Sequence, residues 1–106
     1  MLDIEEFRKD PIDQDWGYIS NEEDLSEDFI REFQNYVDWF AISICQTLSE
    51  EFIIEFEGKV YWRYISSFQK LSKDFIIKYS DKIVFKQLIK NENISDDVKE
   101  FCKIFI

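Results

Sequence analysis

The sequence predicts an all-α protein, an α-solenoid-like array of about four 23-residue helix–turn–helix repeats. Three observations predict it: a gapless internal repeat, a serine at the same place in every repeat, and only two Gly and one Pro among 106 residues. A fixed period of this length is typical of repeat proteins. The scarcity of Gly and Pro argues against a protein built from strands and many turns.

The repeat is visible from Asp15 onwards, where the chain divides into four blocks of 23 residues, which we call units 1 to 4: residues 15–37, 38–60, 61–83 and 84–106. Position 2 is aromatic in every unit and position 12 is always serine. These positions hold Trp16, Trp39, Trp62 and Phe85, and Ser26, Ser49, Ser72 and Ser95. One unit cannot bury its own apolar face, so neighbouring copies are expected to stack. We therefore predict a single domain of residues 1–106, a rod roughly 40 Å long at about 10 Å per helix.

The first helix of a unit is predicted to begin after an aspartate N-cap, Asp15 in unit 1 and Asp38 in unit 2. Its inner face in unit 2 carries the four residues Trp39, Ile42, Ser43 and Gln46. Position 6 is Ser20, Ser43 or Ser66 in the first three units, and no catalytic base accompanies it. We interpret these serines as small packing residues whose hydroxyls bond the preceding helical turn.

The second helix of a unit is predicted to begin after the serine at position 12, which serves as the N-cap. Acidic residues follow the serine in most units, where they suit the positive end of the helix dipole. Leu25 before the cap and Ile30 after it form a hydrophobic staple. Apolar residues then recur at helical spacing and predict one buried face.

Both ends of the array depart from the pattern. Residues 1–14 are predicted to form an N-terminal cap, in which Ile4 and Phe7 make the apolar contacts and Pro11 ends the helix. Unit 4 lacks the aspartate and the tryptophan and finishes in FCKIFI. Two interpretations of residues 104–106 stay open: they fold back to seal the last helix pair, or they form an exposed edge for self-association.

Composition favours a folded protein of the cytoplasm. The apolar content of 45% and aromatic content of 18% are enough for a core. The first ten residues have neither the basic nor the apolar segment of a signal peptide, and no apolar run reaches the ~18 residues that span a bilayer. Cys45 and Cys102 do not make a disulfide framework, so reduced thiols are expected.

The chain contains no histidine. Histidine-based acid–base catalysis, Ser-His and Cys-His nucleophiles and His-bearing zinc sites are therefore excluded. No Gly-rich loop that could cradle a phosphate is present, and the carboxylates of Glu50, Glu51 and Glu55 follow a serine cap, where acids are common. We predict a non-enzymatic protein without a cofactor or a metal.

Charge is unevenly distributed along the chain. Residues 1–60 contain 17 acidic and 4 basic residues, a net charge of −13, whereas residues 61–106 contain 6 acidic and 9 basic residues, a net charge of +3. The densest acidic stretch provides six candidate partner-binding residues: Glu22, Glu23, Asp24, Glu27, Asp28 and Glu32. They form a solvated face, a surface for a basic partner, or a metal chelate, although the alternating spacing of a calcium loop is missing. Direct binding to nucleic acid is disfavoured by phosphate repulsion.

Positions that vary between units are the usual recognition surface of a repeat protein. Positions 3 and 7 of unit 2 are Phe40 and Ile44, an apolar spot on the first helix that serves either partner contact or packing against a neighbouring unit. Position 17 holds Ile54 and Ile77, which belong either to an analogous stripe on the second helices or to the core.

The pattern D-W-x-x-I-S-x-x-Q-x-L-S-E-x-F-I-x-x-F, complete from Asp38 to Phe56, resembles short helical repeats encoded by giant viruses and large bacteriophages. The resemblance covers residues 15–83 well and residues 84–106 weakly, and it implies an origin in a virus or mobile element. In size and acidity the chain is also similar to anti-CRISPR proteins. The first hypothesis is therefore an inhibitor whose acidic surface blocks the basic nucleic-acid channel of a host protein, such as a CRISPR–Cas effector or another defence enzyme.

The alternative hypothesis is a structural or adaptor protein. The acidic first half and the mildly basic second half of different copies would associate head to tail. This hypothesis predicts oligomers that form with rising concentration and dissolve at high salt, because salt screens the attraction between surface charges.

Overall fold

In a computed structural model, which describes residues 3–106, the chain forms nine short α-helices, one 3₁₀ turn and no strand within that range. The all-α repeat array is thus confirmed, while Met1 and Leu2 of the predicted N-terminal cap lie outside the described residues. The helices are α1 (Ile4–Lys9), α2 (Trp16–Glu22), α3 (Glu27–Glu32), α4 (Trp39–Cys45), α5 (Glu50–Glu55), α6 (Trp62–Phe68), α7 (Lys73–Lys78), α8 (Phe85–Leu88) and α9 (Asp96–Cys102), followed by the 3₁₀ turn Lys103–Phe105. Helices this short are not stable alone in water, so stacking must hold them.

The predicted helix starts are confirmed by cap hydrogen bonds. Asp15 accepts from the N–H of Tyr18, and Asp38 accepts from those of Phe40 and Ala41. The serine at position 12 caps the second helix of all four units, with Ser26, Ser49, Ser72 and Ser95 each accepting from the N–H three residues later. Tyr61 and Val84, which stand at position 1 of units 3 and 4, make no side-chain cap bond.

The helices form two layers. The first helices α2, α4, α6 and α8 pack on one another in succession and make the first-helix layer. The second helices α1, α3, α5, α7 and α9 alternate with them along the chain and make the second-helix layer. Fully buried side chains from both layers form one continuous apolar core: Ile30, Ile42, Phe52, Ile53, Ile65, Ile76 and Leu88.

The stack is a rod of 50 × 21 × 16 Å with a radius of gyration of 15.2 Å. A compact domain of this length has a radius of gyration of about 13 Å. The rod is longer than the roughly 40 Å predicted from the sequence. No helix in the described range is long and apolar enough to cross a membrane.

The tryptophans at position 2 join neighbouring units. The indole N–H of Trp39 donates to the carbonyl oxygen of Gln34 at 3.0 Å, and that of Trp62 donates to Glu57 at 2.9 Å. Trp39 also lies 5.0 Å from the ring of Phe56 in its own unit. Each of these tryptophans therefore holds the turn at the end of the preceding unit against the aromatic core residues of the tryptophan's own unit.

The two ends of the rod are closed differently. Phe7 of α1 is buried against Trp16 and Phe29, with ring centroids 5.5 and 5.3 Å away, and α1 ends before Pro11 as predicted. At the other end, Phe105 stacks on Phe85 at 4.5 Å, as Tyr36 stacks on Trp16 in unit 1. Ile104 and Ile106 stay 73% and 59% exposed, so of the three C-terminal residues Phe105 is the one that folds back.

Candidate functional site

Buried amides at position 9 or beside it connect units 2, 3 and 4 to the unit before. Gln46 Nε2 donates to the carbonyl oxygens of Ser20 and Glu23 at 3.0 and 2.6 Å, and its Oε1 accepts from the N–H of Leu25 at 3.0 Å. Gln69 repeats this arrangement, and Asn91 makes the two carbonyl bonds in unit 4. These contacts satisfy the free carbonyl groups at the C-terminal ends of the first helices.

Two of the serines at position 6, Ser43 and Ser66, both donate and accept a hydrogen bond, and the sequence predicted only the donated one. Ser43 Oγ donates to the carbonyl oxygen of Trp39 at 2.8 Å, which confirms the predicted bond to the preceding turn. The same oxygen accepts from the backbone N–H of Tyr61 at 3.0 Å, and Ser20 and Ser66 accept from Asp38 and Val84 in the same way. A catalytic serine would need a base beside its hydroxyl. The hydroxyl of Ser43 instead donates to Trp39 and accepts from Tyr61 of the next unit.

Glu27, one of the six candidate partner-binding acids, is engaged inside the fold. Its carboxylate accepts from the backbone N–H and the hydroxyl of Ser49 at 2.6 and 3.0 Å. Glu50 binds Ser72 of the next unit in the same way, at 2.6 and 3.1 Å. The acid after the serine cap therefore holds the cap of the following unit, a role that sequence reasoning missed. The combination of a serine with an acid at the next position in both units 1 and 2 was the available signal.

Glu32 and Asp28 are also paired. Arg8 binds Glu32 through two hydrogen bonds, 2.6 Å from Nε and 2.9 Å from Nη2, and it contacts Glu5 as well. Charge-assisted bonding to Arg8 holds the pKa of the Glu32 carboxyl below its usual range and raises the pKa of the Arg8 guanidinium. Arg31 lies 2.8 Å from Asp28 and 2.9 Å from Glu55, so this cation joins α3 to α5 as Arg8 joins α1 to α3.

The remaining three candidate acids, Glu22, Glu23 and Asp24, follow one another at the end of α2. Glu22 and Asp24 are exposed and Glu23 is half-buried. Among residues 3–106 no side-chain hydrogen bond or ion pair engages their carboxylates. The C-terminal end of a helix is negative, so no local dipole compensates them either. We call these three residues the acidic turn.

Phe40 and Ile44, the two apolar candidate residues, differ in exposure and in what they contact. Phe40 is 43% exposed and packs edge-on against Tyr61 and Tyr64, with ring centroids at 5.6 and 4.9 Å. It is therefore partly used in packing between units 2 and 3. Ile44 is half-buried and lines a groove of about 390 Å³ together with Cys45, Thr47, Phe68, Lys70 and Asn93. Cys45 Sγ donates to Asn21 at 2.8 Å, which places this groove next to the acidic turn.

The structure also decides between the two interpretations of Ile54 and Ile77. They are 37% and 47% exposed and lie on the surface of the second-helix layer, so they are not core residues. The equivalent positions in the N-terminal cap and in unit 1 are Arg8 and Arg31, which pair with Glu32 and Glu55. No group of three or more carboxylate or thiol residues within residues 3–106 has the arrangement needed to hold a metal ion.

No family model matches this chain, and no match is found among the curated proteins or the solved structures.

Proposed function

We propose that this chain is a non-enzymatic binding protein whose acidic first half docks on the basic nucleic-acid-binding surface of another protein and blocks it. The proposed setting is the cytoplasm of a host cell, with a virus or mobile element as the source. A CRISPR–Cas effector or another nucleic-acid-binding defence enzyme is the proposed target. The observation that carries the proposal is the acidic turn, three consecutive carboxylates that no cation in the described part of the chain neutralises.

The acidic turn suits docking better than the other candidate acids. Glu27 and Glu32 would have to give up bonds to Ser49 and Arg8 before they could bind a partner's cation. Glu22 and Asp24 would give up only bound water when they bind a partner's cation. A cluster of one sign of charge also raises the rate at which an oppositely charged protein is encountered, and this effect weakens with salt.

The test compares two charge-reversal variants of the full chain. Glu22→Lys/Asp24→Lys changes the acidic turn. Glu57→Lys/Asp81→Lys is the matched control. These two acids are also exposed, lie in the turns that follow the second helices α5 and α7, and make no side-chain bond within residues 3–106. Both variants change the net charge equally. Immobilised protein is exposed to host lysate and eluted with a salt gradient, with DNA or RNA as competitor.

The proposal expects a nucleic-acid-binding protein that leaves at moderate salt, is displaced by DNA or RNA, and is retained by the control but not by Glu22→Lys/Asp24→Lys. Retention of the same protein by Glu22→Lys/Asp24→Lys would contradict the proposal.

Head-to-tail self-association is the second candidate function. The specific observation in its favour is the exposure of Ile104 and Ile106 at one end of the rod. The opposite end carries the acidic half of the chain, so attraction between unlike ends would add to apolar burial. The C-terminal variants that test this candidate are described in the Discussion.

A further inference from the structure

We infer that one long edge of the rod is complementary to itself, and that its occupant is the same edge of a second copy of this chain running in the opposite direction. The edge consists of positions 7 to 10 of the four units, where each first helix ends and the turn to the second helix begins. We call it the turn edge. The inference goes beyond the proposed function, because it concerns contact between two copies of this protein.

Contacts between successive units make the turn edge continuous. Cys45 Sγ donates to Oδ1 of Asn21 at 2.8 Å, which joins the edge of unit 2 to that of unit 1. Asn93 Nδ2 donates to the carbonyl oxygen of Phe68 at 2.6 Å, which joins unit 4 to unit 3. Between units 2 and 3 the edge contains the groove of about 390 Å³, and both Ile44 and Phe68 line it. The four turns therefore present one surface.

The charge changes in a regular order along the turn edge. Unit 1 contributes the acidic turn, in which Glu22 and Asp24 are exposed. Unit 2 contributes the uncharged residues ICQT at positions 7 to 10. Units 3 and 4 contribute the exposed cations Lys70 and Lys90, with Glu92 as an exposed acid beside the second of them. The edge thus passes from acidic through uncharged to mainly basic.

This order becomes complementary to itself when it is reversed. A two-fold axis through the groove between units 2 and 3 places unit 1 of each copy opposite unit 4 of the other, and unit 2 opposite unit 3. The acidic turn of each copy then faces the basic part of the other, so the attraction occurs at both ends of the contact. In a parallel arrangement the two acidic turns would face and repel each other. Charge complementarity therefore selects an antiparallel second copy.

Phe68 supplies the apolar centre of this contact. Its side chain is 46% exposed and lies between the groove that it shares with Ile44 and a smaller groove of about 270 Å³ that it shares with Lys90. Under the two-fold axis, Phe68 of each copy faces unit 2 of the other and covers Ile44 there. A central aromatic residue with charged residues around it is the usual organisation of a protein interface.

The size of the turn edge predicts a weak dimer. The edge crosses all four units of a rod that is 50 Å long and 16 to 21 Å across. A strip of this shape buries about 1,000 Å² in total, the low end of specific interfaces. We therefore expect dimers in the micromolar to millimolar range. A two-fold contact uses the same surface on both copies, so it closes at the dimer, whereas head-to-tail contact continues into longer oligomers.

The test measures the mass of the full chain by sedimentation equilibrium from micromolar to millimolar concentration. The wild type should reach a dimer and grow no further. Glu22→Lys/Asp24→Lys and Lys70→Glu/Lys90→Glu should each be monomeric, because like charges then face each other. An equimolar mixture of the two variants should form heterodimers, because each variant carries the charge that attracts the other.

Two matched controls separate the turn edge from net charge. Glu57→Lys/Asp81→Lys and Arg63→Glu/Lys86→Glu make the same charge changes at exposed residues away from the turn edge. Each control should dimerise at least about tenfold more tightly than the edge variant of the same net charge, because its dimer keeps the facing charges of unlike sign.

Two single substitutions test the centre and the basic part of the edge. Phe68→Ala should weaken the dimer at least about tenfold, because central aromatic residues contribute much of the binding energy of an interface. Glu92→Gln should strengthen the dimer about twofold, because it removes an acid that faces the acidic turn of the other copy. In ¹⁵N-labelled protein, the amide shifts that grow with concentration should lie in residues 21–24, 44–47, 67–70 and 90–93.

A wild type that stays monomeric at millimolar concentration, growth beyond the dimer, or edge variants that do not pair when mixed would overturn the inference. Dimers that disappear in Ile104→Ser/Ile106→Ser would assign the contact to the end of the rod and overturn it as well. The proposed function is tested separately, because Lys70→Glu/Lys90→Glu keeps the acidic turn and should still capture the lysate target. Capture of that target by a chain that never dimerises would leave the proposed function standing without the turn-edge dimer.

Discussion

Gln69 and Leu48 are joined across two units by a buried hydrogen bond of 3.0 Å from the N–H of Leu48 to Oε1 of Gln69. The Nε2 of Gln69 donates to the carbonyl oxygens of Ser43 and Gln46 at 3.1 and 2.7 Å. One side chain thus satisfies three backbone groups of the preceding unit. Because these groups have fixed directions, the amide sets the register between units, which apolar packing alone specifies less sharply.

Gln69→Leu is expected to be strongly destabilising. The substitution keeps the volume roughly constant but leaves three buried backbone groups without a partner, at about 1–3 kcal/mol each. We expect the free energy of unfolding to fall by about 3 kcal/mol or more, measured by urea denaturation followed by tryptophan fluorescence. Gln14→Leu is the control, because Gln14 bonds one exposed carbonyl oxygen; its effect should stay within about 0.5 kcal/mol. Equal losses in both variants would rule out the linking role of Gln69.

The sequence predicted the helices and their caps well because each cap acts within three residues of its serine or aspartate. The amide links join residues that are 21 to 26 positions apart, and they are not uniform along the repeat. Position 9 is Gln in units 2 and 3 and Glu23 in unit 1. In unit 4 the linking amide comes from Asn91 at position 8. The local sequence pattern therefore did not predict the amide links. Likewise, counting charges identified an acidic half but could not separate Glu27, which binds Ser49, from Glu22, which has no partner in the described residues.

The candidate acids should separate into two classes when they are replaced one at a time. Glu27→Ala removes two hydrogen bonds to Ser49 and is expected to cost about 1–2 kcal/mol of stability. Glu22→Ala removes no internal bond and should change stability by less than about 0.5 kcal/mol. Chemical denaturation of both variants measures the difference. A loss of stability in Glu22→Ala comparable to that in Glu27→Ala would show that the acidic turn has a structural role.

Stability should depend on pH through the pair of Arg8 and Glu32. The pKa of Glu32 is lower in the folded protein than in the unfolded chain because Arg8 donates hydrogen bonds to the ionised carboxylate. The pair therefore stabilises the fold above the unfolded value of about 4.3, and the contribution is lost as pH falls through the folded pKa. Arg8→Met should flatten the fall in Tm between about pH 5 and about pH 3.

Arg63→Met is the control for the pH experiment. It removes the same charge from an exposed arginine that makes no ion pair within residues 3–106. Its Tm should follow the wild-type pH profile in shape. Identical profiles for Arg8→Met and the wild type would mean that the pair contributes nothing to the pH dependence.

The two thiols should react at very different rates. Cys45 is exposed, whereas Cys102 is fully buried and burial raises the pKa of its thiol, which lowers the fraction of reactive thiolate. Iodoacetamide should modify Cys102 of the native protein at least about a hundredfold more slowly than Cys45, because Cys102 reacts only after the last unit opens. Mass spectrometry of the labelled peptides gives both rates, and in urea they should become similar. Rapid native labelling of Cys102 would indicate that unit 4 opens independently of the other units.

The C-terminal residues allow sealing and self-association to be tested separately. Phe105 stacks on Phe85 at 4.5 Å and meets Phe101 edge-on at 5.8 Å, so Phe105→Ala should destabilise the fold by about 1–2 kcal/mol. Ile104→Ser/Ile106→Ser changes two side chains that are 73% and 59% exposed and should leave the unfolding midpoint within the error of measurement.

Sedimentation velocity over a range of concentrations and salt then decides whether the exposed isoleucines associate. If head-to-tail contact occurs, Ile104→Ser/Ile106→Ser should abolish oligomers that the wild type forms at low salt, without a change in stability. Apolar burial strengthens with salt while attraction between surface charges weakens, so the salt dependence shows which of the two holds the ends together. A wild type that stays monomeric at every concentration and salt would exclude self-association. The exposure of the two isoleucines would then mean only that Phe105 alone covers Phe85 and Phe101 at the end of the rod.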